Sequence, residues 1–219
     1  MRKSIALSSL VLATVAVASV PAIADNHSDG AQQAGAMDVS RVTAGTYATD
    51  PGHSLVAFSV NHFGFNDYYG TFGDAEGTLT IDPANPSAAQ VDVSVPIASV
   101  AVPSEGLREH LLRPGSDGGD PDFFGADPGM ARFQSTGVTV YGGGTKAIIS
   151  GQLSMNGRTN PVTIEAKFTG AGANPMSEAE TIGFEGTTEI MRSDYGVDYA
   201  VPMVSDKVKL MISVAFEKQ

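Results

Sequence analysis

Few side chains in this sequence can grip or transform a polar group, and their spacing decides among the chemistries open to them. His62, Arg108, His110 and Arg192 are the candidates for holding a phosphate or carbonyl, because a guanidinium offers a planar donor fork and an imidazole a tunable donor. Structural roles compete with each assignment: Arg192 and Asp194 can pair at a turn, and His110 can satisfy a backbone carbonyl. A metal centre would have to draw on His53, His62 and His110. Nine positions separate His53 from His62, an odd interval that sends the two rings to opposite faces of a regular strand. Asp117, Asp120 and Asp122 lie in a Gly-rich stretch without EF-hand order, so a solvated insertion explains them better than a Ca²⁺ loop. Catalysis has less support still, since there is no cysteine, no Gly-x-Ser-x-Gly elbow and no conspicuous carboxylate pair. The pattern favours holding a ligand over reacting with it. A metal- or haem-associated stress protein, and behind it a hydrolase, are the alternatives.

The elements that must position these residues follow from the rest of the chain. Residues 1–24 read as a secretory signal: Arg2 and Lys3 precede an apolar run from Ile5 to Val20, and Ala22-Ile23-Ala24 supplies the small-residue cleavage pattern. The run is interrupted by Ser8, Ser9, Thr14 and Ser19 and is shorter than the ~20 residues that span a bilayer. Periplasmic export with cleavage before Asp25 is therefore expected. Loss of Arg2 and Lys3 would move the formal charge from −11 to −13, which disfavours nucleic acid and anionic membrane as partners. With no cysteine, no disulfide or acyl-anchor thiol is available, and stability has to come from an ordinary core. Residues 25–45 lack apolar periodicity and are expected to be a flexible leader, with one domain over 46–219.

Within that domain, apolar residues alternate with polar ones at period two. The last segment is clearest: Val208, Leu210, Ile212, Val214 and Phe216 share one face, and Lys207, Lys209, Ser213 and Glu217 the other. The same alternation places Val91, Val93, Val95 and Ile97 together, with Pro96 at a strand end, and groups Val162, Ile164, Ala166 and Phe168. Val56, Phe58 and Val60 form another set, Leu79 and Ile81 a fourth, and Ile182, Phe184, Thr188 and Ile190 a late one. Turn signals divide them: residues 82–86, 141–144, Asn156-Gly157 and Gly170 to Pro175. One stretch has helical spacing, Ser104 to Leu112, with Ser104 as cap.

The expectation is an all-β chain of about eight antiparallel strands with one short helix. A sandwich and an up-and-down barrel both satisfy the pattern. The absence of Trp and an inner face of Val, Ile, Ala and Thr suit a barrel whose interior is incompletely filled. Val56, Phe58, Val60 and Phe72 are the lumen candidates from the first half of the domain, and Ile164, Phe168, Phe184 and Phe216 those from the second.

Five stretches carry a family likeness. They are Tyr47-Ala48-Thr49-Asp50-Pro51-Gly52-His53-Ser54 with Phe58-Ser59-Val60-Asn61-His62-Phe63-Gly64; Gly70-Thr71-Phe72; Glu109-His110-Leu111-Leu112 followed by Pro121-Asp122-Phe123-Phe124; Gly157-Arg158-Thr159-Asn160-Pro161-Val162-Thr163; and Arg192-Ser193-Asp194-Tyr195-Gly196-Val197. In this order and spacing the chain resembles the YceI-like family from Tyr47 to Lys218. The resemblance implies a lipocalin-like, extended antiparallel up-and-down barrel in the periplasm. It also implies a polyisoprenoid or similar long-chain lipid in its pore, no other cofactor, and a homodimer as an option for which the chain shows no motif. Departures are Leu107-Arg108 where the family often carries Arg-Asp or Leu-Asp, extra residues over 115–120, and Gly125 to Met130 after the Phe-Phe pair.

Overall fold

The computed structural model describes residues 33–219. Among them the strands are β1 (Gly45–Thr49), β2 (Leu55–His62), β3 (Asn66–Phe72), β4 (Glu76–Ile81), β5 (Gln90–Pro96), β6 (Met130–Tyr141), β7 (Lys146–Met155), β8 (Arg158–Ala173), β9 (Glu180–Met191) and β10 (Val204–Lys218), the six alternating segments falling on β2, β4, β5, β8, β9 and β10. All pairings are antiparallel, and β10 returns to β1 to close the ring. The ten segments act as eight strands. β1 and β2 lie end to end along one edge of β10, β1 against Phe216 to Lys218 and β2 against Val204 to Ser213. Between them Pro51 starts a 3-10 turn that Asp50 caps through the Gly52 amide, which interrupts the ladder without changing its direction. β3 and β4 likewise pair with β2 and β1 in turn, broken only at residues 73–75. Neighbours in the ring are then neighbours in sequence throughout, which is the expected eight-stranded up-and-down barrel.

Local chemistry accounts for the connections. Asn156 and Gly157, at φ 50° and 70°, form the two-residue turn between Met155 and Arg158 that a β7–β8 hairpin needs. The expected helix is α1 (Glu105–Leu111), started by the Ser104 hydroxyl, which accepts from the Leu107 amide at 3.2 Å. It belongs to the long β5–β6 connection, whose return is tied down where the Phe124 amide donates to the Leu111 carbonyl at 3.1 Å.

Two expectations change. The glycines from Gly170 onward do not turn the chain; β8 runs on to Ala173, and the turn falls at 174–179, where the Asn174 amide donates to the Ala179 carbonyl. The reason is close approach: Ala36 and Ala171 exchange both backbone bonds, and a side chain on Gly172 would meet the Ala34 carbonyl oxygen at 2.0 Å. By the same contacts, part of the expected leader is bound to the barrel. Ala36 bridges to β8, Val39 to Arg41 form a 3-10 turn, and the Thr43 amide and hydroxyl donate to the Glu180 carboxylate. Unpaired β8 backbone supplies donors and acceptors that hydropathy does not register. The expected signal at 1–24 and the leader residues 25–32 lie outside the described residues.

Candidate ligand-binding lumen

The inner faces of the strands surround a cavity of about 750 Å³. Its wall is the alternating pattern made three-dimensional. Every second residue of β10 from Val208 to Phe216 faces it, as do Val56, Phe58 and Val60 of β2 and Ile164, Ala166 and Phe168 of β8. Val56, Phe58, Val60, Ile164 and Phe184 point inward yet remain only half-buried, because they face space rather than neighbouring side chains. Gly186 helps to keep that space open, lying between Ile164 and Ile212 where a Cβ would touch both at 3.0 to 3.4 Å.

On the β9–β10 side the cavity has a packed floor. Phe168, Phe184 and Phe216 meet edge to face, with centroids 5.9 and 6.3 Å apart. Beneath them Tyr47 and Ile182 are fully buried. A polar seal lies outside this layer. The Tyr47 hydroxyl is 2.7 Å from Glu180 Oε1 and 2.8 Å from the Thr43 carbonyl, and Lys218 reaches both Thr43 and Glu180 Oε2. Burial pushes the Tyr47 phenol up. Burial also pushes the Glu180 carboxyl up, but the bonds from Tyr47, Thr43 and Lys218 outweigh it and hold that group below its ordinary value.

At the other end, residues that line the cavity are also open to solvent: Phe63 is 47 % exposed, Tyr199 45 % and Met203 60 %. This is the mouth. His110 stands on its rim, edge-on to both Phe123 and Tyr199 with centroids 5.1 Å away. Its Nε2 is 2.7 Å from Asp122 Oδ2, and Arg113 Nη2 is 2.7 Å from the same oxygen. The Arg113 bond, then the His110 bond, hold the Asp122 carboxyl below the usual carboxylate range. The result is an aromatic slot next to a polar triad, at the boundary between an apolar tube and water.

Eleven of the twelve ligand-site candidates line this cavity: Val56, Phe58, Val60, His62, Phe72, His110, Ile164, Phe168, Phe184, Arg192 and Phe216. Arg108 does not. Its guanidinium turns back to donate to the Val100 and Ala98 carbonyls, pinning the segment that leads into α1. Arg192 borders the cavity, but its head is committed elsewhere. It is 6 % exposed and donates to the carbonyls of Val197, Val204 and Ser205, so it braces the mouth and is not free to grip a head group. The suggested Arg192–Asp194 pair does not form; Asp206, bonded to Ser193, and Asp198 are the neighbouring carboxylates. His53 bonds Asp50 in the β1–β2 turn, apart from His62 on the rim. Among the described residues no three metal-ligating side chains converge.

Sequence reasoning missed Arg113, Tyr199 and the Glu180 seal. Asp122, expected in a solvated insertion, is instead bonded to His110 and Arg113, and Phe123 was visible only as part of a motif, because loop residues carry no periodicity that reveals where they fold back.

An up-and-down barrel with one apolar lumen and a polar rim defines a class, the β-barrel binding proteins related in shape to lipocalins. A YceI-like domain model matches residues 47–216, and the chain belongs to that family. A UPF0312 protein of Ectopseudomonas mendocina (strain ymp) is 37 % identical over 174 residues, spanning 78 % of this chain and 86 % of the relative. Among solved structures, Burkholderia cenocepacia BcnA has a TM-score of 0.62 at 20 % identity, covering 76 % of this chain and 98 % of BcnA. A polyisoprenoid binding domain from Saccharophagus degradans, implicated in plant cell wall breakdown, has a TM-score of 0.53 at 13 % identity and covers 79 % and 98 %.

Proposed function

We propose that this protein is a non-catalytic carrier that holds a polyisoprenoid or similar long-chain amphiphile in its lumen and works in the periplasm. The observation that carries the reading is the cavity of about 750 Å³, whose apolar wall runs from an aromatic floor to a rim with a polar triad. A tail in such a tube gains ~25 cal/mol for each Å² of apolar surface withdrawn from water, and polar groups at one end orient the head. The polyisoprenoid binding domain of Saccharophagus degradans, similar in fold, supports the same ligand class. The triad of His110, Arg113 and Asp122 takes the head, with the Phe123 and Tyr199 rings beside it.

The test is mass spectrometry of organic extracts from protein purified without detergent, alongside an Ala166→Phe variant. Ala166 lines the lumen, so the larger side chain occupies ligand space without touching the rim. Wild-type protein is expected to release about one long-chain lipid per barrel, in keeping with a lumen of single-ligand size, and the variant much less at comparable thermal stability. A wild-type preparation that yields no hydrophobic guest and takes up none from vesicles would end the carrier reading.

A further inference from the structure

The β2–β3 turn carries the most exposed aromatic side chain among the described residues. Phe65 is 87 % exposed at the tip and Phe63, two residues earlier, 47 %. The Phe63 amide donates to the Met203 carbonyl at 3.0 Å, which places a third exposed apolar side chain, Met203 at 60 %, beside the tip. Large apolar groups left in water at one place mark a surface that something covers. The opposite end also exposes Met37, Tyr141 and Met176, but these stand on three separate segments, and none of them lines the cavity. Phe63 and Met203 do line it, so exposed apolar side chains reach from the lumen wall over the rim to within two residues of Phe65 at the tip.

We propose that this tip is a membrane-docking surface: Phe63, Phe65 and Met203 enter the interfacial layer of a lipid bilayer and bring the mouth onto it. The inference rests on the carrier reading, since a tail that moves between bilayer and lumen needs an apolar path that avoids water. The chemistry of the tip agrees. From His62 to Phe72 the chain has no Lys or Arg, and its one formal charge is Asp67, held by Asn61 beside the turn. Rings on the apex with a carboxylate at their base suit shallow insertion, the side chains among the upper acyl chains and Asp67 at head-group level. A formal charge of −11 for the chain opposes approach to an anionic surface, so docking should favour zwitterionic lipid and weaken as anionic lipid is added.

Because the chain contains no tryptophan, Phe65→Trp gives a single-site fluorescent reporter. With phosphatidylcholine vesicles its emission is expected to shift to the blue and to be quenched by lipids brominated high on the acyl chain. Flotation with the same vesicles should retain the wild type and bind Phe65→Ser about tenfold more weakly, the loss expected for one withdrawn aromatic ring. Phe65→Ser should still load a fluorescent prenyl lipid from micelles, which separates failure of docking from failure of the carrier. Ala166→Phe should show the reverse, docking without loading. An emission spectrum of Phe65→Trp unchanged by vesicles, equal flotation of wild type and Phe65→Ser, or a tip buried in a self-association that Phe65→Ser abolishes while vesicles are ignored, would each overturn the proposal.

Discussion

The floor and the mouth of this barrel are made by the same alternating pattern and end in opposite states. At the floor, Phe168, Phe184 and Phe216 pack edge to face on the β8–β10 side, Tyr47 packs beneath them, and Thr43, Glu180 and Lys218 close the polar side. At the mouth α1 and the loops around Phe123 and Tyr199 stand over the inner positions, and space remains. Alternation therefore dictates which face turns inward, while the contacts that face makes across the ring dictate whether it packs or lines a cavity. The mouth is nonetheless firmly built, because Arg192 gathers three carbonyls from the segment that returns to β10.

The sharpest way to break the contrast is to open the floor. Phe216→Ala is expected to cost about 3–5 kcal/mol in denaturant unfolding, whereas the same truncation at half-buried Phe123 should cost about 1–2 kcal/mol. Equal losses would mean that the floor is no better packed than the rim.

A smaller effect should come from Arg192→Met, which leaves the carbonyls of Val197, Val204 and Ser205 without their donor and Asp206 without its neighbouring cation. About 2–4 kcal/mol of destabilisation is expected. Faster amide exchange should be confined to residues around 193–206, read by hydrogen exchange. A change spread evenly over the barrel would remove Arg192 as a brace specific to the mouth.

The smallest effect concerns the polar seal. The Glu180 carboxyl titrates below its ordinary value of 4.5 in the folded chain. Its bonds therefore stabilise the barrel above that pH, and the contribution is lost as the pH falls through the lower folded value. Glu180→Gln should flatten the acid limb of thermal stability below about pH 5 and leave the neutral-to-alkaline side parallel to wild type. An unchanged acid limb would show that the floor is held by its apolar layer alone.

The outcome of the two regions also explains how far the sequence could be read. Six alternating segments, the Ser104-capped helix and the Asn156-Gly157 turn were legible because each depends on neighbours within a few residues. The eight lumen candidates on β2, β3, β8, β9 and β10 fall on the lumen wall, since inward-facing residues on a closed sheet must meet, but the part supplied by β6 and β7 was not foreseen. The fates of Arg108 and Arg192 did not follow. A guanidinium spent on carbonyls and one free at a rim look alike in sequence, and the carbonyls they serve become neighbours only after the chain has closed. The glycines of β8 misled for a related reason: a residue that permits a turn also permits another strand to approach closely.

What the order of amino acids determined unaided was periodicity, and through it antiparallel strands with a defined inner face, because strand geometry repeats every two residues wherever it occurs. Whether that interior is solid or hollow, which end is sealed, and that His110, Arg113 and Asp122 meet beside Phe123 and Tyr199 were decided by tertiary structure alone. Those outcomes depend on volumes and distances between segments far apart in the chain, quantities that come into existence when the barrel closes.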